Sequence, residues 1–215
     1  MTDLFIPTFG LVCGFLSSAP PGTINLWLIN QTLNHRKENF WFLLGIVIAD
    51  CLYAAVAVWG YHTLIDGTVI ETGMLAVGAI CVIAMGVTTL LSKRKEADVK
   101  LTMTEKPHQQ FAMGLLMCGG NPAFLVFWIF AVGVLEDQFS TKIEGPSILY
   151  FTLGIILGDY LWFSCLVSIM KKFRQKITSK YLLLFNRFIG ITFMVIGVHT
   201  RPGGGVHFLN YDIPF

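Results

Sequence analysis

Charge is scarce in this chain. Of its 215 residues, 13% are Asp, Glu, Lys or Arg, where a soluble domain carries roughly 25%. That scarcity excludes an ordinary soluble globular domain of this length. Long polar stretches are missing too, so nothing can build a second core, and a length that would permit one domain or two reduces to one. The formal net charge of +2 is too small to point to a nucleic-acid partner, and none is expected. CxxC, CxxH and HExxH patterns do not occur, which argues against a structural zinc site, and no residue pattern asks for a cofactor. The five cysteines, Cys13, Cys51, Cys81, Cys118 and Cys165, each sit in an apolar run, where a reduced thiol packs as a small hydrophobe. The first apolar run is reached without a Lys or Arg and lacks an obvious cleavage site. It is therefore read as a retained span rather than a signal peptide.

What is present is hydrophobicity: 54% of residues are apolar and the mean hydropathy is +0.67. A helix needs ~20 mostly apolar residues to cross the hydrocarbon core. Six runs qualify, near Leu4–Leu33, Phe40–Ile65, Val69–Leu91, Phe111–Leu135, Ile148–Met170 and Tyr181–Thr200. The loops between them alternate in charge. Arg36 and Lys37 follow the first run. Lys93, Arg94, Lys95, Lys100 and Lys106 follow the third, and Lys171, Lys172, Arg174, Lys176 and Lys180 follow the fifth. Twelve of the fifteen Lys and Arg thus share one side. The other side holds Asp3, Asp66, Glu71, Glu136, Asp137, Glu144 and Asp212, with Lys142 and Arg201 as its basic residues. By the positive-inside rule the basic loops are cytoplasmic and both termini are extracytoplasmic. The expectation is a multi-pass protein of the cytoplasmic (inner) membrane.

The two halves of the chain repeat. Gly45, Ile46, Asp50, Leu52 and Tyr53 in the second run match Gly154, Ile155, Asp159, Leu161 and Trp162 in the fifth, at identical spacing. Pro21 is followed six residues later by Trp27, and Pro122 six residues later by Trp128. The third and sixth runs share only spaced glycines, Gly78 and Gly86 against Gly190 and Gly197. Three helices are an odd number, so the second copy must be inverted, as in many secondary transporters. The expected fold is all-α: six transmembrane helices as two inverted three-helix repeats, with helices 1 and 4 broken at Pro. Residues 1–92 form the first repeat, 93–110 a cytoplasmic linker, 111–200 the second repeat and 201–215 an extracytoplasmic tail of unassigned role.

The polar residues of these runs converge in depth. At ~1.5 Å per residue, Pro20, Pro122, Asp50 and Asp159 fall about 24, 17, 15 and 17 Å along their runs, near the middle of a core ~30 Å thick. Proline removes an amide donor and breaks the helix. Broken backbone at that depth survives only where it is buried in protein or lines a cavity. Free amides at Gly22 and Thr23 would attract an anionic group such as a substrate carboxylate. The carbonyls before Pro20 and Asn121 would suit a cation or ammonium group. Asn25 and Asn121 offer neutral hydrogen bonds beside the breaks, although Asn121 could simply cap its half-helix and Asn25 could pair with a neighbouring helix. Asp50 and Asp159 carry the most weight, because an intramembrane aspartate costs about 2.5–3.5 kcal/mol on insertion scales. Dry, they would be protonated packing residues. Beside a wet cavity they can bind a cationic substrate or carry protons. The candidate substrate- or proton-binding set is Asp50, Asp159, Asn25, Asn121, Pro20, Pro21, Gly22, Thr23, Pro122 and Tyr53.

The segment Ser18-Ala19-Pro20-Pro21-Gly22-Thr23-Ile24-Asn25-Leu26, with Gly45 and Asp50 and with Asn121-Pro122, resembles the lysine exporter (LysE) superfamily of small efflux proteins. The resemblance extends over nearly the whole chain. It implies a secondary transporter, not an enzyme, that exports amino acids or related small solutes from the cytoplasm in exchange for protons. It maps the family's proline-glycine break onto Pro20, Pro21 and Gly22, and its intramembrane acids onto Asp50 and Asp159. Thr23 departs from the pattern, since members often carry a further proline there. The implied partners are a small-molecule substrate, protons and the bilayer, with a homo-oligomer left open. Two alternatives compete: a divalent metal-cation exporter of the same superfamily, and a membrane thiol–disulfide carrier using Cys13 and Cys118. The metal reading wants more converging ligands than two aspartates. The thiol reading needs two cysteines that can meet, yet Cys13 lies eight residues before Pro21 and Cys118 four before Pro122.

Overall fold

A computed structural model of the chain describes residues 2–20, 23–33, 40–65, 69–91, 106–139, 141–173 and 179–200. Among them the regular structure is entirely helical. The helices are α1 (Thr2–Ser18), α2 (Thr23–Leu33), α3 (Phe40–Gly60), α4 (Val69–Leu91), α5 (Pro107–Gly119), α6 (Pro122–Phe139), α7 (Pro146–Phe173) and α8 (Ser179–His199). A π-helical turn, Tyr61–Ile65, extends α3.

Two of the expected runs are interrupted where proline predicts it. The first divides into α1 and α2, with Ala19 and Pro20 outside both helices. The fourth divides into α5 and α6, which meet at a bend of 65°. Pro122 opens α6, a first-turn position where the missing N–H removes nothing from the helix. Three stretches, Phe40–Thr63, Gly73–Leu91 and Pro146–Lys172, are long and apolar enough to cross a bilayer, and the bent α5–α6 pair makes a fourth. Leu4–Ser18 and Arg187–His199 are shorter apolar helices.

Small residues decide which helices touch. A Cβ on Gly10 or Gly14 of α1 would strike the carbonyls of Phe151 or Ile155, and one on Gly154 or Gly158 of α7 those of Pro7 or Leu11. The glycines of each helix therefore seat the backbone of the other, in the small-residue packing that apolar helices use to approach closely. The matched numbers rise together, so α1 and α7 run parallel. Helices α3 and α5 mesh in the same way, Gly45 against Phe111 and Gly114 against Phe42. Tyr53 and Gly119 meet further along both helices, so this pair is parallel too. Between α4 and α8, Gly86 and Gly190 face each other, while Gly197 meets Ala79 and Ile83. Here one number rises as the other falls, so the pair is antiparallel.

The burial pattern reverses that of a soluble protein. Large apolar side chains such as Leu52, Trp59, Ile80, Tyr160 and Val198 are exposed on the outside. Ser17, Ser18, Asn25, Asp50 and Asp159 are buried inside. In hydrocarbon this costs nothing for the apolar groups and allows the polar ones to satisfy each other.

Candidate functional site

The site forms where the two breaks meet α3 and α7. Asp50, on α3, and Asp159, on α7, are both fully buried, and two adjacent residues, Ser17 and Ser18, bond one to each. Asp50 is held by two donors. Ser17 Oγ donates to its Oδ2 at 2.7 Å, and Trp128 Nε1 to its Oδ1 at 2.6 Å. Asp159 is held by one, Ser18 Oγ to its Oδ1 at 2.7 Å. Its Oδ2 is buried and has no hydrogen-bond partner.

Several carbonyls at the breaks accept hydrogen bonds. Asn25 Nδ2 donates to Ser18 O at 2.7 Å and to Pro20 O at 2.8 Å. Its Oδ1 accepts from Trp162 Nε1 at 3.2 Å. On the other break Gly119 O accepts the Tyr53 hydroxyl. Leu116 O accepts from Gly120 N at 2.8 Å, and Cys118 O from Asn121 N at 3.1 Å. The sequence suggests the break carbonyls as a seat for a cation. Those named here each have one donor, which spares the cost of about 1–3 kcal/mol for an orphaned group and leaves a second lone pair on each oxygen. The two halves solve the problem in matching ways. Tyr53 reaches its carbonyl directly. Trp162, its counterpart in the repeat, reaches the other break through Asn25.

The structure thus brings Asp50, Asp159, Asn25 and Pro20 to one polar centre, and sets Tyr53 at the second break. Asn121 is exposed and its Oδ1 accepts from Ala123 N–H at 3.1 Å, so it caps α6. Pro122 sits beside it in the first turn. Thr23 opens α2, with its side chain outside the description. Pro21 and Gly22 lie outside the described residues, as do the basic residues Arg36, Lys37, Lys93 to Lys100, Arg174 and Lys176, and the tail 201–215. No group of three or more His, Cys, Asp and Glu suited to a metal occurs among the described residues.

Four contributors escape a reading of the sequence: Ser17, Ser18, Trp128 and Trp162 act as hydrogen-bond donors. The tryptophans carry a signal, since each stands at a repeated position. A second cluster was missed altogether. At the far ends of α3 and α6, His62 Nε2 and Glu136 Oε1 pair at 2.6 Å. The same oxygen also accepts from Ile143 N–H at 3.3 Å. His62 belongs to the π-helical turn, a feature that recurs at functional sites.

A bundle that is apolar outside, polar at its centre and broken at two helices defines a multi-pass membrane protein with an internal polar site. Residues 15–201 match the family model described as LysE type translocator, and the chain belongs to that family. Its members are transporters, not enzymes, which removes the thiol–disulfide carrier. The chain is similar to a Bacillus subtilis (strain 168) protein described as "Putative amino acid efflux protein YcgF". Identity is 25% over 194 residues, covering 88% of this chain and 91% of the relative. No solved structure matches the chain.

Proposed function

We propose that the protein is a secondary transporter that exports amino acids or related small solutes from the cytoplasm, and that protons entering through Asp50 and Asp159 drive it. The observation that carries this reading is the pair of fully buried carboxyls gripped by the adjacent hydroxyls of Ser17 and Ser18 at the first helix break. Two carboxylates side by side repel unless a proton or a cation lies between them. A pair that exchanges a proton for a substrate ammonium group is therefore a coupling device. The relative described as an amino acid efflux protein supports the substrate class.

The architecture proposed with it is six crossings in two inverted sets of three, α1–α2, α3 and α4 followed by α5–α6, α7 and α8. Helix directions support it. Alternating crossings require the first and fifth to be parallel, the second and fourth to be parallel, and the third and sixth to be antiparallel. The glycine contacts, with the Tyr53–Gly119 bond for α3 and α5, have that pattern. The basic loops support an inner-membrane orientation with both termini outside.

The test uses the purified protein in vesicles loaded with a mixture of the standard amino acids. One or more should leave faster when the receiving side is acidified. Asp50→Asn and Asp159→Asn should each abolish that efflux while the protein stays inserted. Normal efflux by both variants would overturn the coupling mechanism. Absence of any amino-acid efflux from the wild type would overturn the substrate class.

A further inference from the structure

Trp27 and Trp128 occupy matching positions, six residues past Pro21 and Pro122. Both are fully buried, at 1% and 0% exposure. Each packs against the phenylalanine that stands eight residues before the aspartate of its own half. Trp128 meets Phe151 edge-on, with ring centroids 6.0 Å apart at 90°. Trp27 is drawn closer onto Phe42, at 3.9 Å and 45°.

The indole N–H groups differ. Trp128 Nε1 crosses to the aspartate of the other half, Asp50. The corresponding bond would join Trp27 Nε1 to Asp159, and it is not made. Trp27 Nε1 is buried without an acceptor, and Asp159 Oδ2 is buried without a donor. Leaving a buried donor unpaired costs free energy that a static fold would be expected to avoid. The two unpartnered atoms stand at the repeat positions that match the bonded pair Trp128 and Asp50. The difference extends beyond the centre, because α6 continues from Trp128 to Glu136, which pairs with His62 on the extension of α3. The α3–α6 side is fastened by Trp128 to Asp50 and by His62 to Glu136, while α2 and α7 are joined by Trp162 to Asn25 and lack the equivalent bond from Trp27.

We infer that Trp27 and Trp128 are paired positioning residues: each indole N–H holds the aspartate of the opposite half in one of two alternating conformations. In the conformation described, Trp128 holds Asp50. In the other, Trp27 turns from Phe42 to Asp159 as Trp128 leaves Asp50, and α6 parts from α3. The inference deepens the transport reading and rests on its two inverted halves, but not on the identity of the solute.

The test places spin labels at Trp59→Cys and Phe139→Cys, exposed positions at the same end of α3 and α6, in full-length protein with its native cysteines replaced. The protein is reconstituted in phosphatidylethanolamine–phosphatidylglycerol vesicles with no solute added. Trp128→Phe keeps a ring but loses the N–H. It should raise the ratio of long to short label distances about tenfold. Trp27→Phe should keep the short distance or favour it further. Identical distributions in all three proteins, or a shift of both variants in one direction, would overturn the inference.

If the cysteine-free protein does not fold, ultraviolet resonance Raman difference spectra of the native-cysteine protein decide the matter. Subtracting the Trp27→Phe spectrum isolates the Trp27 indole. It should read as a free N–H in the wild type and as a bonded N–H in the Trp128→Phe background. A free N–H in both would overturn the inference. Neither readout uses a transported solute. Alternation with normal export by Asp50→Asn and Asp159→Asn would defeat the coupling mechanism alone, and the converse result would defeat the alternation alone.

Discussion

Ser17 and Ser18 are consecutive residues whose hydroxyls reach different aspartates, Asp50 and Asp159, each at 2.7 Å. Neighbours on a helix project about 100° apart, so the last turn of α1 fits between α3 and α7 and presents one donor to each. Ser17 Oγ also lies 2.9 Å from the Gly14 carbonyl. With a single proton it can serve only one acceptor at a time. It can therefore release Asp50 without being left unpaired.

These hydroxyls should matter for turnover. Ser17→Ala and Ser18→Ala each remove one bond to a carboxyl group, worth about 1.5 kcal/mol, and each should slow efflux roughly tenfold. Because the two hydroxyls are adjacent, the double variant should lose less than the product of the two. Initial efflux rates from loaded vesicles, normalised to inserted protein, check both statements. Unchanged rates in both single variants would mean that the hydroxyls play no part.

Much of this centre is legible in the sequence, but unevenly. Prolines and aspartates stand out because each is costly in an apolar helix, so the breaks and the two acids can be found one residue at a time. Serine and tryptophan carry no such cost. Ser17 and Ser18 look like ordinary small residues, and the indoles count as apolar although each carries a donor. The helix pairing is hidden for another reason: glycine is common in apolar helices, and only the structure shows that Gly45 seats against Phe111 while Gly78 meets Phe130. The His62–Glu136 pair spans 74 residues, and no local pattern joins its partners.

The glycine contacts make a second prediction, about stability. Gly45→Ala, Gly114→Ala and Gly158→Ala would each drive a methyl group into backbone of the facing helix. Backbone cannot turn aside as a side chain can, so each should cost about 1–3 kcal/mol or more. Gly60→Ala and Gly73→Ala meet nothing within 4 Å and should be neutral or slightly stabilising. Thermal unfolding in detergent should separate the two groups cleanly. Equal melting temperatures would show that the helix pairing is wrong.

The outer pair makes a third. Glu136→Gln keeps an acceptor for the Ile143 amide but loses the carboxylate that meets His62 Nε2. Glu136 is 5% exposed and His62 25%, so water competes for this contact less than for one on the surface. Amide exchange over Tyr61–Ile65 should quicken about tenfold as the π-helical turn opens locally, with little change in the middle of α3. Uniform protection in the variant would show that the pair does not hold this turn.

The two breaks differ in how many bonds depend on one side chain, and this sets a fourth expectation. Tyr53 supplies one bond, to Gly119 O, from a side chain that is only half-buried. Tyr53→Phe should cost about 1 kcal/mol, since water or a small shift can meet the carbonyl it leaves. Asn25 supplies two bonds to carbonyls and accepts a third from Trp162. Asn25→Ala would strand Ser18 O and Pro20 O, and would cost the Trp162 indole that acceptor, in a region where Ser18 and Trp162 are buried. The sum should exceed about 3 kcal/mol, so this variant should lower the melting temperature by several times as much as Tyr53→Phe. Asn25→Asp keeps the acceptor for Trp162 but turns a carboxyl oxygen toward two carbonyls, and should rescue little. If Asn25→Ala and Tyr53→Phe melted together, the first break would have to be held by something other than Asn25.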